Sequence, residues 1–334
     1  ARMETPVIYF YTNRPRSIDV EAEYVGGSVT ESYPWKDGAG SDGNWRNLLV
    51  YPPGALGRET VEPPVGESDR GNHYYHAREV PDAAMVLRTT GKEPQAERFI
   101  FYRGAGPMST DVKPILRHGG ELTLMNNRMS GAANHLWALQ VAGGKLRWAK
   151  LPAIPARNEK NGAGVIRARV LDWEEKASGE ALPELGKSFI GSLVNEGLTL
   201  DEAAAMVKTW SDSWFVEPGT RVFRILPREV VDDLLPLKIT PEPDVVERVF
   251  VHRMELLAPE ARDLILGALE NEDVEPGQVR EIAELGFGRF RTAAVSSAAA
   301  YRNQQFAAET ARRQQNLLMA GADLEMDLVE LLLK

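Results

Sequence analysis

Five side chains of types suited to metal or hydrolytic chemistry stand out: His73 and His76, Asp212 and Glu217, and His252. Neutral imidazoles beside carboxylates suit zinc or another transition metal, and the run His73-Tyr74-Tyr75-His76 has Glu67, Asp69 and Glu79 close by in the chain. Residues 73–80 read as a strand, and positions three apart on a strand point to opposite faces. The two histidines therefore share an ion only if the segment bends; otherwise it is an aromatic strand with polar neighbours. For acid–base work, His252 with Glu255, or Asp212 with Glu217, could form pairs. Asp212 lies between Trp210 and Trp214, and burial against indole raises a carboxyl pKa. Against that, an acid near a helix end commonly faces solvent or caps the following turn. Residues 37–44 (DGAGSDGN) have a superficial likeness to a calcium loop. The positions alternating from Asp37 are Ala39 and Ser41, and the twelfth is Leu48 where a bidentate acid is needed. The run is read as a flexible hairpin loop.

Other chemistry is excluded or lacks a signature. There is no cysteine, so disulfides, thiolate metal sites, iron–sulfur clusters and thiol nucleophiles are ruled out. No phosphate-cradling GxxxxGK[ST], dinucleotide GxGxxG, zinc HExxH or nucleophile-elbow GxSxG run is present. Apart from a metal ion at His73 and His76, no cofactor is expected. Lys and Arg number 39 against 48 Asp and Glu, a net charge of −9. That argues against a nucleic-acid partner held by a general basic surface, while leaving room for a local basic patch. No apolar run reaches the ~20 residues of a membrane-spanning helix.

The elements that must position these groups change type along the chain. Residues 5–11 (TPVIYFY) and 98–103 (RFIFYR) are aromatic, β-branched runs of buried-strand type. Residues 17–25 (SIDVEAEYV) alternate apolar and acidic, as on a half-exposed antiparallel strand. Further short strands follow at 45–51, 84–88, 112–116, 121–125, 135–141, 145–151 and 165–173, separated by glycine and proline turns. Such spacing predicts a sandwich or barrel. Residues 180–196 and 199–215 then show helical period, the second opened by Thr199 with Glu202 three residues on as a capping box. Trp210 and Trp214 share a helical face and one core, which only one of Phe223 and Ile225 is expected to join. Residues 220–226 and 245–257 alternate as a strand pair. Helices are predicted at 259–270, 277–285, 289–318 and 322–334. The 289–318 helix is rich in alanine and glutamine, too poor in large apolar residues to bury a wide stripe, and is expected to contribute to self-association.

The stretches METPVIYFY, ERFIFYRG and EAAAMVKTWSDSWF together resemble an uncharacterised family of bacterial proteins with no assigned activity. The resemblance implies longer, exported chains, and so an extracytoplasmic (periplasmic or secreted) setting over a cytoplasmic one. It assigns no catalytic residues. A chain starting at Ala1-Arg2 fits a processed product or fragment.

The expected fold is α+β. An antiparallel β-sandwich-like region occupies 1–175, with a break near 89–97 that would make it two modules. A mainly helical region with a small strand pair occupies 180–334. The expected function is a non-enzymatic binding or structural protein of the bacterial envelope, with a protein or glycan partner. The alternative is a hydrolase whose site lies at the junction of the two regions, among His73, His76, Asp212, Glu217 and His252.

Overall fold

The computed structural model describes residues 2–3, 6–56, 74–91, 93–106, 111–160, 162–270, 275–284, 291–299 and 317–318. In chain order the first elements are β1 (Arg2–Met3), β2 (Val7–Ile8), β3 (Arg16–Ala22), β4 (Ser28–Tyr33), β5 (Gly43–Tyr51), α1 (Tyr74–Ala77), β6 (Met85–Arg88), β7 (Gln95–Glu97) and β8 (Ile100–Ala105). Next come β9 (Val112–Leu116), β10 (Glu121–Asn126), β11 (Leu136–Ala142), β12 (Lys145–Leu151), β13 (Gly164–Arg169) and β14 (Glu175–Ala177). The remainder is α2 (Ser178–Asn195), α3 (Leu200–Ser211), β15 (Gly219–Ile225), α4 (Arg228–Leu234), β16 (Leu237–Thr240), β17 (Val251–Leu256), α5 (Pro259–Glu270), α6 (Pro276–Glu284) and α7 (Arg291–Ala299).

These strands form four antiparallel sheets. Two have five strands, in the orders β16-β3-β5-β6-β7 and β14-β12-β11-β15-β17. A third runs β13-β10-β9, and in the fourth β8 pairs with β1, β2 and β4. This overturns the expected split into a β-sandwich first region and a mainly helical second one. The strands at 219–225 and 251–256 do pair, but β15 also pairs with β11 and sits inside a five-stranded sheet. β16 closes the edge of β3, roughly two-thirds of the chain length away. Helices lie in the middle and in the C-terminal part of a mostly β chain. The physical reason is that alternation marks a strand without naming its partner. Six of the seven residues of β15 are buried, the mark of a strand covered on both faces. Residues 74–77, read as strand, form the short helix α1 instead.

The largest apolar cluster lies between the β11/β15 face and helices α2 and α3. Phe189 is at its centre. Its ring stacks on Trp137 (4.1 Å between centroids) and meets Phe215 (5.1 Å), Phe223 (5.4 Å) and Trp214 (5.8 Å). Both Phe223 and Ile225 join it, because residues two apart on a strand share a face. The α3 start is as the sequence predicts. Glu202 N donates to Thr199 Oγ1 (3.2 Å), and Thr199 N donates to Glu202 Oε2 (2.7 Å). α2 ends at Asn195, and Gly197 follows it at a φ of 112°, where a side chain would be strained.

The glycine-rich loop between β4 and β5 is tied down from within. The Lys36 ammonium donates to the Gly40 and Asp42 carbonyls, and Asp37 accepts from Arg46 N and from Arg88. In the C-terminal part, the described residues of α7 pack through Ala294, Val295 and Ala298 against α5 and α6. The rest of the 289–318 segment lies largely outside the described residues, as does 322–334. Among the described residues no helix is long and apolar enough to cross a membrane.

Truncating the central ring, Phe189→Ala, is expected to cost about 3–5 kcal/mol in denaturant unfolding, against about 1 kcal/mol for Thr199→Ala, which removes one helix cap.

Candidate functional site

Polar groups concentrate on both faces of the sheet β14-β12-β11-β15-β17, and β15 (GTRVFRI) sorts them. With a period of two, Arg221 shares the face of Phe223 and Ile225, while Arg224 shares the face of Val222. Both arginines are almost fully buried, at 0% and 1% exposure. A buried cation is tolerated only when paired and hydrogen-bonded, so its partners define the site.

On the helix-facing side, α3 runs into a π-helical turn, Asp212–Val216, whose last carbonyls find no helical partner. Arg221 supplies donors: Nη1 to Trp214 O (2.9 Å), and Nη2 to Glu217 O (2.7 Å) and Pro218 O (3.0 Å). Its cross-strand neighbour Glu255 forms an ion pair with Nε at 2.8 Å. Burial pulls the Arg221 pKa down, and the Glu255 charge opposes that pull. Arg253 bonds the Ser213 carbonyl (2.7 Å), Glu217 Oε2 (2.6 Å) and Glu255. Two guanidiniums and two carboxylates thus lock the turn to β15 and β17.

On the opposite face, His252 stands across from Arg224. Arg224 donates through Nη1 to Asp111 Oδ1 (2.6 Å), Arg128 lies 3.5 Å from Asp111 Oδ2, and Arg128 Nη2 donates to Glu229 (2.6 Å). Burial first, and then the Arg224 charge, push the His252 imidazole down to about 4, with Asp111 opposing. His252 is therefore neutral at pH 7 and far too weak a base to match that pH.

A third group sits over the end of β11. Ser188 and Ser192 share one face of α2, with Glu196 four residues further on, just past the helix end. Trp137 Nε1 donates to Ser188 Oγ (2.9 Å), and Lys150 Nζ donates to Ser192 Oγ (2.9 Å) while lying 5.5 Å over the Trp137 ring. His135, held at φ 50°, contacts Glu196 at 2.8 Å, and its buried Nδ1 has no hydrogen-bond partner. Hydroxyl, amine, imidazole and carboxylate meet here. The amine, however, donates to a hydroxyl that is only 1% exposed, which is the reverse of deprotonating an accessible nucleophile. This group escaped the sequence reading. The Ser-x-x-x-Ser-x-x-x-Glu spacing was visible, but the strand residues opposite it were not.

The residues singled out from sequence do not converge. His76 contacts Glu79 (2.8 Å), which also takes the Lys208 ammonium and so ties α1 to α3. His73, Glu67 and Asp69 lie outside the described residues. Among the described residues, no group of three or more His, Asp or Glu side chains could hold a metal ion. Asp212 is exposed and accepts from the next backbone N–H, that of Ser213 (2.7 Å). Glu217 is bound to Arg253 on one sheet face, while His252 is on the other.

Two outcomes are expected. Arg221→Leu strands the carbonyls of the turn in the interior and lowers unfolding stability by about 3–5 kcal/mol, a loss that Arg221→Lys recovers only in part because an ammonium lacks the planar fork. His252 binds its proton less readily folded than unfolded, so stability is full above about pH 6.5 and falls toward about pH 4 by up to about 3 kcal/mol. Thermal unfolding across that window should flatten in His252→Gln.

The chain matches no family model, no curated protein and no solved structure.

Proposed function

We propose that this chain is a non-enzymatic binding or structural protein of the bacterial envelope, acting through a protein or glycan partner. The observation that carries the reading is how the candidate groups are spent. Glu217 and Arg253 hold the turn after α3, His76 and Glu79 hold α1 to α3, and His252 is a neutral residue beside Arg224. Groups so engaged supply rigidity, and a rigid sheet scaffold suits recognition through its outer faces. The likeness in METPVIYFY, ERFIFYRG and EAAAMVKTWSDSWF supports the extracytoplasmic setting. Self-association through the 289–318 helix belongs to the same proposal, with a mass by light scattering above the monomer's 37.0 kDa as its sign.

The hydrolase alternative has one observation in its favour, the Lys150–Ser192 contact with the His135–Glu196 pair beside it. A fluorophosphonate probe separates the two readings. No labelling of the intact chain is expected, together with retention of the chain by isolated envelope material. Covalent labelling at Ser192, abolished in Lys150→Ala, would overturn the non-enzymatic reading.

A further inference from the structure

The sheet β13-β10-β9 has one face in the core; on the other, Thr123 of the central strand is buried between its neighbours while the positions on the flanking strands are more exposed. Leu116, Leu122 and Leu124 point inward with Ile166 and Ala168, so the alternate positions of each strand point outward. That outer face carries Lys113 and, just past the end of β9, Arg117, with Arg167 and Arg169 on β13, all four exposed. Glu121 is its one carboxylate. Arg169 donates to Gly119 O (3.3 Å) and lies 4.0 Å from Asp172, whereas Lys113, Arg117 and Arg167 form no ion pair among the described residues. In a chain of net charge −9, most other cations of the sheets are paired, so four cations set against Glu121 and, at the edge, Asp172 are a local inversion of sign. Between the cations lie Ile115, Met125 and Val165, the last 39% exposed.

We propose that this face docks an acidic, amphipathic segment of a partner protein. The inference rests on the binding reading above and names the partner class. Charge complementarity requires an anion. The apolar residues set among the cations favour a peptide, with carboxylates for the guanidiniums and aliphatic side chains for Ile115 and Val165. The face has no aromatic residue, so it offers no platform for stacking nucleic-acid bases or sugar rings. Along β9 the outward order is cation, aliphatic, cation at Lys113, Ile115 and Arg117. An extended partner with acids and aliphatics alternating at every second residue has the same repeat of about 6.6 Å.

The probe is a fluorescein-labelled peptide of repeating Glu-Ser-Leu-Ser, followed by anisotropy with the full chain. Binding is expected to weaken about tenfold as salt rises from about 0.05 to about 0.5 M, and at least about tenfold in Lys113→Glu/Arg167→Glu. Arg14→Glu/Lys187→Glu, remote from the face, should bind as the parent does, and circular dichroism should find all variants folded. No binding by the parent chain, or equal binding by the Lys113→Glu/Arg167→Glu variant, would overturn the proposal. Polyuridylate, a sulfated polysaccharide and phosphatidylglycerol vesicles run alongside. If one of these binds through Lys113 and Arg167 while the peptide does not, the partner class is wrong and the binding reading stands. Fluorophosphonate labelling of a chain that still binds the peptide would sink the non-enzymatic reading and leave this face intact.

Discussion

A guanidinium removed from water must have its charge balanced and its donors used, and Arg221 has Glu255 for its charge and backbone carbonyls for both Nη groups at one place. Its fork reaches three carbonyls at the end of the π-helical turn, and its Nε faces Glu255 on the neighbouring strand. The route of the chain from α3 into the sheet follows from this. The turn can end where it does because donors wait beneath it, and β15 can lie inside a sheet because its buried cation is paired with Glu255. Loss of either side would leave the other buried without a partner, a costlier state than an apolar core of the same shape.

Around that anchor the aromatic residues fill the remaining volume. Trp210 and Trp214 come from the end of α3 and the turn, Phe223 from β15, Trp137 from β11, and Phe189 from α2 meets the last three. The same turn that Arg221 fixes sets the direction of Trp214 and Phe215. Polar ties and apolar packing are thus cooperative here, with ion pairs specifying the arrangement and ring burial supplying most of the stability.

The other buried charges follow the same logic on the opposite sheet face, where Arg224 and Asp111 join β15 to the start of β9. A histidine beside that pair stays neutral because protonating it would add charge to a dry, already cationic site. On the three-stranded sheet, Lys113 and Arg167 stay exposed and outside these interior networks.

Local chemistry was legible in the sequence, and long-range partnership was not. The Thr199/Glu202 cap was readable because it is a bond between residues three apart, and Trp210 and Trp214 fell into one core because helical spacing fixes their face. The alternation at 219–225 and 251–256 marked two strands. It could not say that β15 pairs with β11 or β16 with β3, because hydrogen-bonded partners are chosen by the whole core and not by the strand's own pattern. The same limit governed the site. Asp212 and Glu217 looked like a pair along the chain, yet one is spent on a neighbouring amide and the other on Arg253. His252 and Glu217 are separated by a sheet, since successive strand residues face opposite sides. Ser192, Lys150, His135 and Glu196 looked unrelated until the packing of α2 on β11 and β12 brought them together. Composition and local spacing decided which elements form; only tertiary packing decided which charges meet, because Coulomb pairing depends on distance in space rather than along the chain.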